Sequence, residues 1–367
     1  MQLTATKTLL PGMILAEPVK TNRGQTIMNK GVLLTDSLIA RISFYGIESV
    51  CVAPQESIPE PMELETEAKN APVKMVYSER IKSSADFKMF QDESFDIHLK
   101  LKKCFLKILN SESGELIPEV LAMTMHLLQK PLNTIELFDM LHNMRTEDDA
   151  IYLHSVSVAF IAGAFGKWLE FSQSDIELLV LCGLMHDIGK MKIPSKILYK
   201  PGPLDETEYA IVKRHPRLGY EALKRIPKLD FHVVDCALMH HERCDGSGYP
   251  LNAAAKEINN FAKIIAIADV YDAMTAARSY RSPLCPFQVI SAFEHEGLKK
   301  YDPHFILTFL EHIAYTYQNN RILLSDGREA NIIMLNSRDL SRPIIEVDDG
   351  SYINLATSKD LHIASLI

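Results

Sequence analysis

The chain has 367 residues, 47% of them hydrophobic and 23% charged, the composition of a water-soluble globular protein with room for more than one compact unit. Its formal net charge of −8 speaks against a general nucleic-acid binder, which would present a broad basic face, so an anionic ligand has to be held by local cations. The six cysteines form no CxxC pair, no basic start leads into an apolar stretch, and the longest apolar runs are too short to span a bilayer; the expectation is a cytoplasmic protein with reduced thiols and no membrane association.

Residues 1–53 read as a small β-rich unit. The apolar runs Met13–Leu15 and Val32–Leu34 are separated by turn signals at Asn22–Gly24 and Lys30–Gly31, and a helix is expected from Ser37 to Tyr45. Residues 54–78 read as a linker, because Pro54, Pro59, Pro61 and Pro72 stand among glutamates with few large apolar residues. Residues 79–130 read as a helical connector, with apolar residues at three- and four-residue steps over Phe95–Leu109 and Ile117–Leu128.

The helical pattern continues through residues 131–318 without a strand signal. Ile151–Leu169 is apolar almost all round and predicts a buried central helix. Ser174 with Glu177 and Asp205 with Glu208 have the spacing of capping boxes. Residues 319–367 switch to strands, with hairpin turns expected at Asp326–Gly327 and Asp349–Gly350. The fold class is therefore mainly α: an all-α helical domain flanked by small β-rich units at both ends.

Five histidines and two aspartates stand out among the helices: His154, His186–Asp187, His215, His240–His241 and Asp269. His154 shares a face with Val158, Ile161 and Phe165 and so points inward. His186–Asp187 is expected to end one helix, His215 the next and His240–His241 a third, while Asp269 sits inside the apolar stretch Ile264–Ala277. Each piece alone has a plain structural explanation: His154 as a satisfied core histidine, His215 as a helix C-terminal cation. Asp269 is harder to explain so, because an unpaired buried carboxylate is costly. Imidazole and carboxylate ligands suit iron, manganese, zinc or nickel, and seven of them fit two ions that share a carboxylate. Two divalent ions against two carboxylates leave roughly +2 of charge, or about +1 with a bridging hydroxide, which attracts a phosphodiester.

In order, His154-Ser-Val-Ser-Val-Ala, His186-Asp-Ile-Gly-Lys190, Lys200-Pro-Gly-Pro-Leu204, Lys213-Arg-His-Pro216 with Gly219, His240-His-Glu-Arg-Cys-Asp-Gly-Ser-Gly-Tyr-Pro250 and Ala268-Asp-Val-Tyr-Asp-Ala-Met-Thr275 resemble the HD-GYP branch of the HD phosphohydrolases. The resemblance covers about residues 130–318 and implies an HD-type helical domain that opens cyclic di-GMP to pGpG or GMP. It implies two divalent metal ions, iron or manganese. His154, His186, Asp187 and Asp269 would hold one; Asp187, His215, His240 and His241 would hold the other. Lys190 and Asp187 are then the catalytic residues, and Lys190, Tyr249, Asp272, Arg278 and Arg281 the substrate contacts, with Asp272 also placed to orient Lys190 or a ligand. The plain explanation of Arg278 and Arg281 is a solvated helix end. Gly246 and Gly248 supply the tight backbone of the loop.

The chain departs from the family pattern at Asn252, Ala255 and Ser279, none of them an expected ligand. Some family members carry a glutamate one helical turn before the first ligand histidine, which helps recruit a third ion; Ala150 stands there, and Asp148 and Asp149 point to other faces of a continuous helix, so two ions are expected. Two alternatives stay open: a cyclic-dinucleotide receptor with little turnover, and a phosphodiesterase acting on a cyclic GMP-AMP hybrid. The β units are the expected route to a homodimer or protein partner.

Overall fold

In this computed structural model residues 81–130, 134–144, 150–200, 202–275, 284–358 and 360–367 are described, together with 2–6, 9, 13–20, 26–28, 30–32, 34, 39, 42, 47 and 49–52 of the N-terminal part. The expected linker at 54–78 and the turn at Asn22–Gly24 lie outside the described residues, as does most of the expected helix from Ser37 to Tyr45. The chain divides into two compact units, residues 1–73 and 74–367.

In the first unit, strand β1 (Gln2–Ala5) pairs antiparallel with β4 (Ser49–Val52), and β2 (Val19–Lys20) with β3 (Thr26–Met28). The two apolar runs read from the sequence bond to each other: Leu15 donates to Val32 at 3.0 Å and Leu34 to Met13 at 2.7 Å. Leu15, Val19, Leu34, Ile42, Val50 and Val52 form its small core.

The second unit is helical as far as Thr316. Helices α1 (Ala85–Ser111), α2 (Ile117–Leu128), α3 (Thr134–Asn143), α4 (Ala150–Trp168) and α5 (Gln173–Met185) lead into a 3₁₀ turn, Ile188–Lys192. Then follow α6 (Ser195–Leu198), α7 (Glu206–Val212), α8 (His215–Leu223), α9 (Phe231–Met239), α10 (Asn260–Thr275), α11 (Pro286–Lys300) and α12 (Pro303–Thr316). Apolar α4 is the central helix, packed on α5, α10 and α1. No helix among the described residues is long and apolar enough to cross a membrane.

The capping box at Asp205 and Glu208 forms with both reciprocal bonds. The expected box at Ser174 and Glu177 does not. Ser172 is the N-cap instead, extended at φ −60° and ψ 155°, with its Oγ accepting from the Asp175 N–H at 3.2 Å. Both serines fit the helix-start pattern, and the one whose backbone is extended wins.

After α12 the chain forms β5 (Arg321–Leu324), β6 (Glu329–Met334), β7 (Ile344–Val347), β8 (Tyr352–Asn354) and β9 (Ile363–Leu366). These make an antiparallel sheet in the order β8-β7-β6-β5-β9, with the two expected hairpin turns between β5 and β6 and between β7 and β8. Ile322, Leu324, Ala330, Ile332, Ile345 and Val347 alternate inward and join the same core as the helices. Glu294 of α11 also holds this segment, accepting from the backbone N–H of Leu340 at 2.6 Å.

Candidate active site

Helices α4, α5, α8, α9 and α10 place all seven candidate ligands around one point. Their ligand atoms fall into two groups, Asp187 with His215, His240 and His241, and His154 with His186 and Asp269, each lying within 4.8 Å of its fellows. Asp187 joins the two groups because its oxygens face opposite ways. Oδ2 lies 3.3 Å from His186 Nε2 and 3.5 Å from His154 Nε2. Oδ1 lies 3.2 Å from His215 Nε2 and 3.6 Å from His240 Nε2. Asp269 closes the ring, with Oδ1 3.0 Å from His154 Nε2 and Oδ2 3.8 Å from His241 Nδ1.

Local backbone aims these rings. His186 Nδ1 donates to Gly183 O at 2.8 Å, His215 Nδ1 to Val212 O at 2.7 Å and His240 Nδ1 to Cys236 O at 3.0 Å. A ring whose Nδ1 carries the proton presents a bare Nε2, so three histidines turn a lone pair toward Asp187. His154 is held in the same way by a side chain: its Nδ1 lies 2.6 Å from Asp272 Oδ2.

The approach of these elements depends on glycine. A Cβ on Gly189, in the turn after Asp187, would strike the His215 carbonyl and come within 2.5 Å of the Gly219 nitrogen. Only glycine lets that turn seat against α8 and bring Asp187 to His215.

Burial governs the charges. It pulls His154 and His240 down to about 4 and His241 well below the ordinary range, so these rings are neutral near pH 7. For His186 burial acts in the same direction, but Asp187 and Asp269 outweigh it and raise the value. Burial alone would raise Asp187; Lys190, His186 and His215 overcome it and hold the carboxyl well below the usual range. Asp269 is likewise held down against burial by His154, His241 and His186. Two ionised carboxylates beside the neutral rings of His154, His240 and His241 form a donor set that invites cations. His186 Nε2 and Asp187 Oδ1 are buried with no hydrogen-bond partner, a cost that a bound ion would remove. The residues present fit divalent metal ions.

Lys190, on the 3₁₀ turn, places its ammonium on Asp187 Oδ2 and keeps partial exposure. The Tyr249 ring stacks on His241 with centroids 4.7 Å apart. One expectation is corrected. His215 begins α8, with Pro216 in its first turn, and does not end a helix: α7 stops at Val212, so the cation-at-a-C-terminus explanation fails. Asp272 is 1% exposed with its Oδ2 on His154 Nδ1, so it orients that ring, one of the two roles expected of it. Arg278, Arg281, Asp148 and Asp149 lie outside the described residues.

Glu242 escaped the sequence reading. It is buried, and its carboxylate accepts from Leu251 N at 2.6 Å and Ala253 N at 3.0 Å, bracing the loop that carries Tyr249. The signal was an acidic residue directly ahead of a Gly-rich loop whose N–H groups need acceptors.

Residues 127–305 match the family model of the HD domain. Similar curated proteins include a cyclic di-GMP phosphodiesterase of Pseudomonas aeruginosa, 34% identical over 56% of this chain and 49% of that protein. The cyclic di-GMP phosphodiesterase response regulator RpfG of Xanthomonas campestris is 41% identical over 34% of this chain and 33% of its own length. A 3'3'-cGAMP-specific phosphodiesterase of Vibrio cholerae is 34% identical over 43% of this chain and 31% of its own length. The chain thus spans about half the length of the first relative and about a third of the other two. The fold is similar to that of an HDG"Y"P protein from Bdellovibrio bacteriovorus, at a TM-score of 0.50 and 16% identity over 85% of this chain and 99% of that one.

Proposed function

We propose that this chain hydrolyses a phosphodiester bond of a cyclic dinucleotide, opening cyclic di-GMP to linear pGpG or GMP, at a centre of two divalent metal ions, iron or manganese. His154, His186, Asp187 and Asp269 would hold one ion and Asp187, His215, His240 and His241 the other. Bound ions of this kind polarise phosphoryl oxygens and lower the pKa of water. The chain's own groups do the rest. Lys190 balances charge beside Asp187 and meets the charge that develops on the phosphate. Tyr249, stacked on His241, is assigned to the substrate through its position beside that ligand. Arg278 and Arg281 are assigned to phosphate or guanine edges on their sequence position after α10.

The observation that carries this reading is the division of the Asp187 carboxylate, one oxygen facing His154 and His186, the other facing His215 and His240. The seven neighbouring donors exceed what one tetrahedral ion needs. The experiment is to load the protein with manganese or iron without oxygen, add cyclic di-GMP and separate the products by chromatography over time. Linear pGpG or GMP should accumulate in proportion to protein. Tight binding without products would make the chain a receptor. A cyclic GMP-AMP hybrid run in parallel tests the second substrate reading, which the resemblance to cGAMP-specific relatives supports.

A further inference from the structure

Helix α1 is 27 residues long and amphipathic on its inner side, where Phe87, Phe90, Ile97, Leu101, Phe105 and Ile108 enter the core. It also carries a second apolar stripe on the outside. Phe95, Leu99 and Leu106 are exposed by 52%, 40% and 47%. With Asp92, Lys102 and Leu109 they fall at alternating three- and four-residue steps, the spacing of a helix–helix seam rather than of scattered surface residues.

The charges beside the stripe choose its partner. Asp96 and Lys103 lie one heptad apart on the same flank of the seam, both exposed, and neither forms an ion pair among the described residues. The opposite flank, His98 and Phe105, is buried in the chain's own core and offers no charge. Lys100 and Lys107 are engaged by Glu119 and Glu115 of the same chain. In an antiparallel pair of identical helices, equivalent flanks meet. Asp96 of each copy then faces Lys103 of the other, and Phe95 faces Leu106. In a parallel pair this flank would meet the buried one, and no ion pair would form.

We infer that the exposed stripe of α1 is the contact by which two copies of this chain associate, antiparallel, through reciprocal Asp96–Lys103 pairs around Phe95, Leu99 and Leu106. The surface lies on the helical unit, not on the β units. Two helices about 40 Å long bury roughly 400 Å² each, against about 800 Å² a side for a standard interface, so the dimer is weak and concentration-dependent.

Sedimentation of the full chain over a wide concentration range tests this. The wild type should shift from monomer to dimer as concentration rises. Asp96→Lys and Lys103→Glu each set like charges opposite one another twice, and each should weaken association about tenfold. The double variant Asp96→Lys/Lys103→Glu should return it to the wild-type value, as should an equimolar mixture of the two single variants. Phe95→Glu should leave monomer throughout, with an unchanged thermal unfolding midpoint. A wild type that stays monomeric at every concentration, because a segment of its own chain covers the stripe, overturns the inference. So does a double variant as weak as the singles.

Discussion

Asp187 among the helices and Asp348 in the C-terminal sheet both face nitrogen atoms at close range. Asp348 lies 2.9 Å from Arg321 with its side chain 55% exposed, and Arg321 also reaches Glu329 at 2.5 Å. Water solvates both partners, so the contact holds strands in register and contributes little free energy. Asp187 is fully buried, within 3.6 Å of four imidazole nitrogens, with the Lys190 ammonium on its Oδ2. Such an arrangement costs stability and is tolerable where a ligand is to be bound. An aspartate thus contributes to structure where it is wet, and where it is dry it forms a donor set suited to a ligand.

The sharpest way to break that contrast is to remove the buried charge. Asp187→Ala should lose bound metal and activity together, read by elemental analysis beside the turnover assay; full metal occupancy in the variant would defeat its assignment as the shared ligand. Lys190→Ala should retain metal while catalysis falls by tens to a thousandfold, the range for one charge-stabilising donor. Normal turnover, or loss of metal instead, would remove it from the mechanism.

Acid sharpens the comparison next. The folded, metal-free protein holds His154 and His240 near 4, whereas the unfolded chain protonates them near 6.5. Their contribution is fully present above about pH 6.5 and is lost as pH falls toward 4, by up to about 3 kcal/mol per ring. His241 shifts the same way, and His186, whose value is raised, offsets part of the loss. Denaturant midpoints of metal-free protein should therefore drop across this window, and a flat profile would show that the rings are not held neutral.

Asp272→Asn leaves the shape of the His154 contact but removes its charge. Metal affinity should fall about 10- to 100-fold, the usual cost of losing a partner behind a ligand, as read by competition with a chelator. Arg321→Ala, at the wet end of the contrast, should cost about 1 kcal/mol or less and leave activity intact.

What the sequence made legible divides along similar lines. The helix α2 and both hairpin turns follow from local periodicity and Asp-Gly turns, which need no tertiary information. The seven-residue cluster was legible because costly side chains in apolar helices mark themselves. Contacts decided in three dimensions were not. Asp272 sits one helical turn after Asp269, a spacing that offered a ligand, Lys190 or a substrate as its partner without deciding among them; the fold turns it to His154. The choice between Ser172 and Ser174 as N-cap rested on which backbone is extended. His215 read as a helix end because the break after Val212 carries no glycine. Glu242 was hidden because its acceptors are satisfied by backbone nine and eleven residues on.

The central claim is that Asp187 joins two metal sites in one centre. Protein prepared without oxygen, dialysed and analysed for metal against chain concentration tests it most directly. The account predicts close to two ions per chain, falling together in Asp187→Ala, with Ala150→Glu adding to the count. A reproducible single ion would contradict the shared-carboxylate reading, and three in the unaltered chain would mean that a carboxylate near the start of α4, Asp148 or Asp149, also serves as a ligand.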